Sequence, residues 1–143
     1  MGYRAAVAES PGKFINLSVR AQVGGSPGPL ITGLVIGEGA PKTVLLRAVG
    51  PGLAPLGVSG VLGDPVLTLY SGAEPMFSNT GWNTAENAER IPEAAQRVGA
   101  FALADGSRDS ALLVTLNPGV YTVQVTGPNN TSGTALAEIY EVP

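Results

Sequence analysis

The chain has 143 residues, enough for one domain that buries about two-thirds of the surface its unfolded form exposes. It contains neither cysteine nor histidine, which excludes disulfides and thiolate chemistry and removes the commonest general base and transition-metal ligand. Charged residues make up only 13% of it and the net charge is -3 with Lys and Arg scattered singly, so neither nucleic acid nor an anionic membrane is an expected partner.

The mean hydropathy of +0.22 implies a largely neutral or apolar surface. No apolar run reaches the ~20 residues of a membrane helix, and no secretion-type apolar segment follows Met1. Membrane insertion is therefore not expected.

Residues 1–13 read as a neutral lead closed by Pro11-Gly12. Within it the run 3–8, with Tyr3, Ala5 and Val7, offers a donor strand for pairing with another subunit, although a disordered tail is the default for a terminus. A single domain follows over 14–143. From Phe14, Ile15, Leu17, Val19, Ala21 and Val23 fall on one face, with Asn16, Ser18, Arg20 and Gln22 on the other, the period of a half-buried strand. The Gly-Pro-rich run 24–29 breaks it.

Residues 30–36 and 43–49 are apolar on both faces apart from Thr32 and Arg47, which predicts central strands covered on two sides, joined as a hairpin through 37–42. Residues 50–63 carry five glycines and two prolines among leucines and valines, an apolar loop packed on a sheet end. Asp64-Pro65 opens a strand over 66–70. A Ser71-Gly72 turn leads to another over 75–78.

One short helical segment is expected near 85–98, with Glu86, Glu89 and Glu93 early, Arg97 late and Gly99 as its stop. Pro92 divides it and suits the first position of its second part. Residues 101–103 suggest a brief strand. Residues 110–127, SALLVTLNPGVYTVQVTG, read as a β-hairpin turning at Asn117-Pro118-Gly119. A last strand over 134–142 has apolar residues on both faces. Eight or nine strands with one small helix make an all-β, antiparallel, jelly-roll-like β-sandwich.

The segments FINLSVRAQVG, LITGLVIGEGAPKTVLLRAVGPGLAPLGVSGVLGDPVLTLYSG, LLVTLNPGVYTVQVTG and TALAEIYEV resemble a β-sandwich module of large secreted and cell-surface proteins of Verrucomicrobia and related environmental bacteria. The second half more distantly resembles the bacterial pre-peptidase C-terminal domain. The resemblance implies an extracellular, non-catalytic accessory or structural module. In such modules paired acidic residues often precede the tryptophan after the Asp-Pro strand. Here Ser78-Asn79-Thr80-Gly81 stands there, so a cation lacks the charge to hold it.

Candidate chemistry is sparse. Asp105, Ser107 and Asp109 have the spacing that opens a calcium loop, but the remaining oxygens and a distant Glu are missing. A solvated turn is the expectation, and no metal or cofactor is implied. Glu86, Glu89 and Glu93 share a helical face rather than opposing one another across a sugar. Serines lack a histidine base, and neither Lys13 nor Lys42 sits in a Ser-Lys motif. The chain is not expected to be an enzyme.

Trp82, flanked by Asn79 and Asn83, offers a sugar-stacking platform with amides beside it, or a plug for one end of the core; the plug is the simpler reading. Arg47, inside an apolar strand, either pairs with a carboxylate such as Asp64 or Glu138 or snorkels at the sheet edge, and a structural ion pair is the expectation. Asn129-Asn130-Thr131-Ser132 reads as a polar turn. The leading expectation is a structural module that associates with copies of itself as a fibre, surface layer or adhesive array. The alternative is a carbohydrate-binding module facing a surface polysaccharide, and a hydrolase ranks last.

Overall fold

The computed structural model describes residues 4–10 and 16–143. Among them the alternating segments become nine strands: β1 (Arg4–Ser10), β2 (Asn16–Val23), β3 (Leu30–Ile36), β4 (Lys42–Val49), β5 (Val66–Ser71), β6 (Glu74–Asn79), β7 (Ser110–Leu116), β8 (Gly119–Thr126) and β9 (Gly133–Glu141). One α-helix, α1 (Ile91–Val98), completes the regular structure together with short 3-10 turns. The strands form a five-stranded sheet, β1-β3-β8-β5-β6, and a four-stranded sheet, β2-β9-β4-β7. Pairing is antiparallel throughout except for β1, which runs parallel to β3. The fold is the β-sandwich that the alternation implies.

Inward residues of both sheets share one core, with Val23, Leu34, Leu46, Leu69, Val123 and Ile139 all buried. At roughly 2 kcal/mol for each aliphatic side chain taken out of water, this core is the main favourable contribution to the fold. The apolar loop also behaves as its composition implies. Leu53 and Leu62 are buried, and Leu62 N–H and Thr134 C=O meet at 2.8 Å while Thr134 N–H reaches Gly60 C=O.

Two connections differ from their expected form. The turn at Asn117 and Pro118 does not close a hairpin, because β7 pairs with β4 in one sheet and β8 pairs with β3 and β5 in the other. It is an arch between sheets, closed by Tyr121 O–H donating to Asn117 C=O at 2.7 Å. An arch and a hairpin need the same turn residues and the same inward alternation, so the sequence alone does not separate them. Residues 37–41 likewise carry the chain from β3 in the five-stranded sheet to β4 in the four-stranded one. The true hairpin joins β5 and β6, with a register shift between Leu69 and Tyr70.

Strand coverage also differs between the two apolar runs. β3 alternates buried and half-buried residues, so only one of its faces is in the core. β4 is buried on both faces from Val44 onward, because α1 and its flanking loops cover the outer side. That second core gathers Leu45, Trp82, Ile91, Ala95, Leu113 and Tyr140. β9 serves both cores, which explains its ambiguous pattern. Residues 101–103 form no strand and lie in the loop after α1.

Candidate functional site

The loop and helix between β6 and β7 build a cavity of about 310 Å³ over the outer face of the four-stranded sheet. Pro92 starts α1 where its missing N–H costs nothing. Gly99, at φ 78°, ends it, with Gly99 N–H on Gln96 C=O and Ala100 N–H on Ala95 C=O. Ile91, Ala94 and Ala95 face the sheet, and the two alanines let the helix approach closely. The chain then returns across β4, so Ile91, Pro92 and Ala95 line the cavity together with Trp82, Leu103 and Arg47.

Arg47 is fully buried. It stands opposite Glu138 in the β4–β9 register, and its Nε donates to Glu138 Oε1 at 2.7 Å. Its Nη1 donates to Phe101 C=O at 2.6 Å, and its guanidinium carbon lies 4.6 Å from the centre of the Phe101 ring. Nη2 has no hydrogen-bond partner. The expected ion pair is therefore present, with Glu138; Asp64 instead faces Arg108 across an exposed 3.4 Å contact.

Glu138 Oε2 accepts from Tyr140 O–H at 2.6 Å and from Ser18 O–H at 3.4 Å. Burial, followed by the hydrogen bond to Glu138 and its charge, pushes the Tyr140 hydroxyl up to about 12. Arg47 and Ser18 oppose that shift. The carboxylate thus has three donors, and the buried pair is satisfied apart from the guanidinium Nη2.

Of the residues singled out for ligand binding, only Trp82 borders this cavity. It is 5% exposed, and its indole N–H donates to Ala104 C=O at 2.9 Å, the placement of a core plug. Asn79 Oδ1 accepts from Ala111 N–H at 3.0 Å and its Nδ2 reaches Thr84 Oγ1 at 3.3 Å. Asn83 Nδ2 donates to Asp105 Oδ1 at 2.9 Å, while its Oδ1 accepts from Gly106 N–H. Both asparagines hold loops in place. Ala5 and Val7 lie on β1, and Tyr3 and Lys13 fall outside the described residues.

The 105–109 turn is not a solvated turn throughout, because Asp109 is fully buried. Its Oδ1 accepts from Gly50 N–H and Gly52 N–H at 2.8 and 3.0 Å, and its Oδ2 from Ser107 O–H at 2.9 Å. Asp109 clasps the glycine-rich loop, which demands an acceptor where close backbone leaves no room for a side chain. Glu86, Glu89 and Glu93 are exposed. Among the described residues, no group of three or more Asp or Glu is placed to hold a metal, and no helix is long and apolar enough to cross a membrane.

No protein-family model matches the chain, and no curated protein matches it. Among solved structures, it is similar to the pre-peptidase C-terminal domain of collagenase from Bacillus anthracis, with TM-score 0.55 and 11% identity over 95% of this chain and 94% of that one. PliG of Aeromonas hydrophila, a periplasmic inhibitor of g-type lysozyme, gives TM-score 0.47 and 11% identity over 98% of this chain and 97% of that one. The likeness to the collagenase domain is one of fold.

Proposed function

We propose that the protein is a non-catalytic, extracellular structural module that joins copies of itself along the free edge of β1. The observation that carries this reading is the state of the four edge strands. β6 is blunted by Pro75 and by the register shift opposite it. The backbone of β7 is capped by side chains, Asn79 on Ala111 N–H and Asn87 on Leu113 C=O. β2 carries Arg20 at its middle, exposed beside Ser18 and Gln22. β1 is seven residues long without proline, hydrogen-bonded to β3 on one side, and uncharged over residues 5–8. Among the described residues no strand pairs with its other edge, and a neutral edge of that length is a template for another strand.

Successive residues of a strand turn their N–H groups to opposite sides. Of Ala6→Pro and Val7→Pro, one removes a donor to β3 and the other a donor to the free edge. Light scattering of the parent and both variants at matched concentrations tests the reading. Association of the parent, abolished in the free-edge variant while its melting temperature holds, supports it. A parent that stays monomeric, or two variants that associate like the parent, overturns it.

A second reading, a module for a surface polysaccharide, draws on the cavity beside Trp82. The lining is mostly apolar and Trp82 offers little open ring face, so the cavity suits an apolar body better than a hydroxyl-rich ring. A glycan titration followed through Trp82 fluorescence checks it.

A further inference from the structure

The cavity beneath α1 holds an inference independent of assembly. Its lining is apolar except for two side chains, Arg47 and Gln96. Arg47 is fully buried and Nη2 is its one nitrogen without a partner. A buried donor on a charged group is rarely left unmade unless something else meets it. A void of about 310 Å³ beside it has room for about ten non-hydrogen atoms, taking ~30 Å³ for each water-sized unit.

We infer that this cavity binds a small, mostly apolar, neutral molecule whose carbonyl or amide oxygen accepts from Arg47 Nη2. The sign of the ligand follows from the charges already present. Glu138 neutralises Arg47 at 2.7 Å, so a carboxylate ligand would bring a second negative charge into a site with no second cation, at a desolvation cost nothing offsets. A neutral oxygen satisfies the donor without that cost. A pure hydrocarbon fills the apolar space but leaves the donor unmade.

Gln96 supplies the other polar group of the lining and complements an amide N–H, so an aryl or alkyl amide matches both. Nη2 has essentially no solvent-accessible surface, so a ligand oxygen reaches it only when its cover shifts, and we assign that movement to Phe101. Its ring lies over the guanidinium, it is 36% exposed, and it belongs to a loop without regular structure. A small displacement of that ring opens Nη2 to the cavity while the Glu138 pair stays intact.

The test is a titration of the whole chain with three probes of similar shape: benzamide, benzoate and toluene. The chain has one tryptophan, Trp82, and it borders the cavity, so its fluorescence reports occupancy. Benzamide is expected to give a saturable change in the millimolar range, with benzoate and toluene each at least fivefold weaker. Ala102→Phe, at an exposed lining position, fills the space and should abolish the benzamide response with the fold intact by circular dichroism. Crystals soaked with 4-bromobenzamide read the same point without a variant, the oxygen lying within hydrogen-bond distance of Arg47 Nη2. Benzoate binding as tightly as benzamide, no saturable response to benzamide, or bromine located elsewhere overturns the inference.

Discussion

Arg47 and Glu138 face each other across the β4–β9 pair with Nε 2.7 Å from Oε1, both buried beneath α1 and the loop that follows it. Strands that read as apolar in sequence thus carry a charge pair on their outer face. The helix, the loop and Tyr140 close over it, and the cavity is what remains.

Removing one partner of that pair leaves the other as an uncompensated buried charge. Glu138→Ala is expected to destabilise the protein by about 3–5 kcal/mol in urea unfolding. The double variant Arg47→Met/Glu138→Leu, which removes both charges at similar volume, should recover most of that loss. A double variant no more stable than Glu138→Ala would show that the pair does more than neutralise itself.

Tyr140 sets an alkaline limit. Its hydroxyl is raised to about 12 in the folded protein, against about 10 for an unfolded tyrosine. The folded state therefore holds this proton more tightly. Its contribution is whole below pH ~10 and is lost as the pH climbs from there toward about 12. Tyr140→Phe should flatten the fall in stability over that window, measured as urea midpoint against pH. An unchanged slope would place the titrating group elsewhere.

Asp109 is the clasp on the glycine-rich loop. Asp109→Ala strands the N–H groups of Gly50 and Gly52, which it now accepts at 2.8 and 3.0 Å. The expected cost is about 2–4 kcal/mol, with faster hydrogen exchange at those two amides as its local signature. Stability within 1 kcal/mol of the parent would mean that water replaces the carboxylate there.

Gly133 opens β9 where the apolar loop crosses it. A Cβ at this position would sit 2.5 Å from Leu62 N, and that nitrogen donates to Thr134 C=O at 2.8 Å. Gly133→Ala must push the loop off the sheet and should cost about 1–3 kcal/mol. Thermal unfolding of this variant beside Gly57→Ala, where the Cβ meets nothing but φ is 91°, separates crowding from backbone strain.

Much of the fold was legible because it depends on local period and punctuation. Pro92 and Gly99 bracket the helix as expected, and the alternation over 119–126 is a half-buried strand. That Arg47 needs a carboxylate was legible because it is a charge set in an otherwise apolar strand, but the choice of Glu138 over Asp64 rests on the β4–β9 register. What local pattern does not hold is which sheet a strand joins. Asn117-Pro118-Gly119 turns the chain equally well within a sheet or between two, and only the pairing of β7 with β4 decides. The cavity was illegible for the same reason. It depends on Phe101, Ala102 and Leu103 crossing β4 as a loop, and nothing in their identity announces that path.

The measurement that bears most directly on the central claim is light scattering of the full chain over a wide concentration range, with negative-stain electron microscopy of the same samples. The β1 edge predicts mass that grows with concentration and regular fibres or arrays, both lost when residues 2–8 are deleted. Discrete monomers at every concentration would contradict the account.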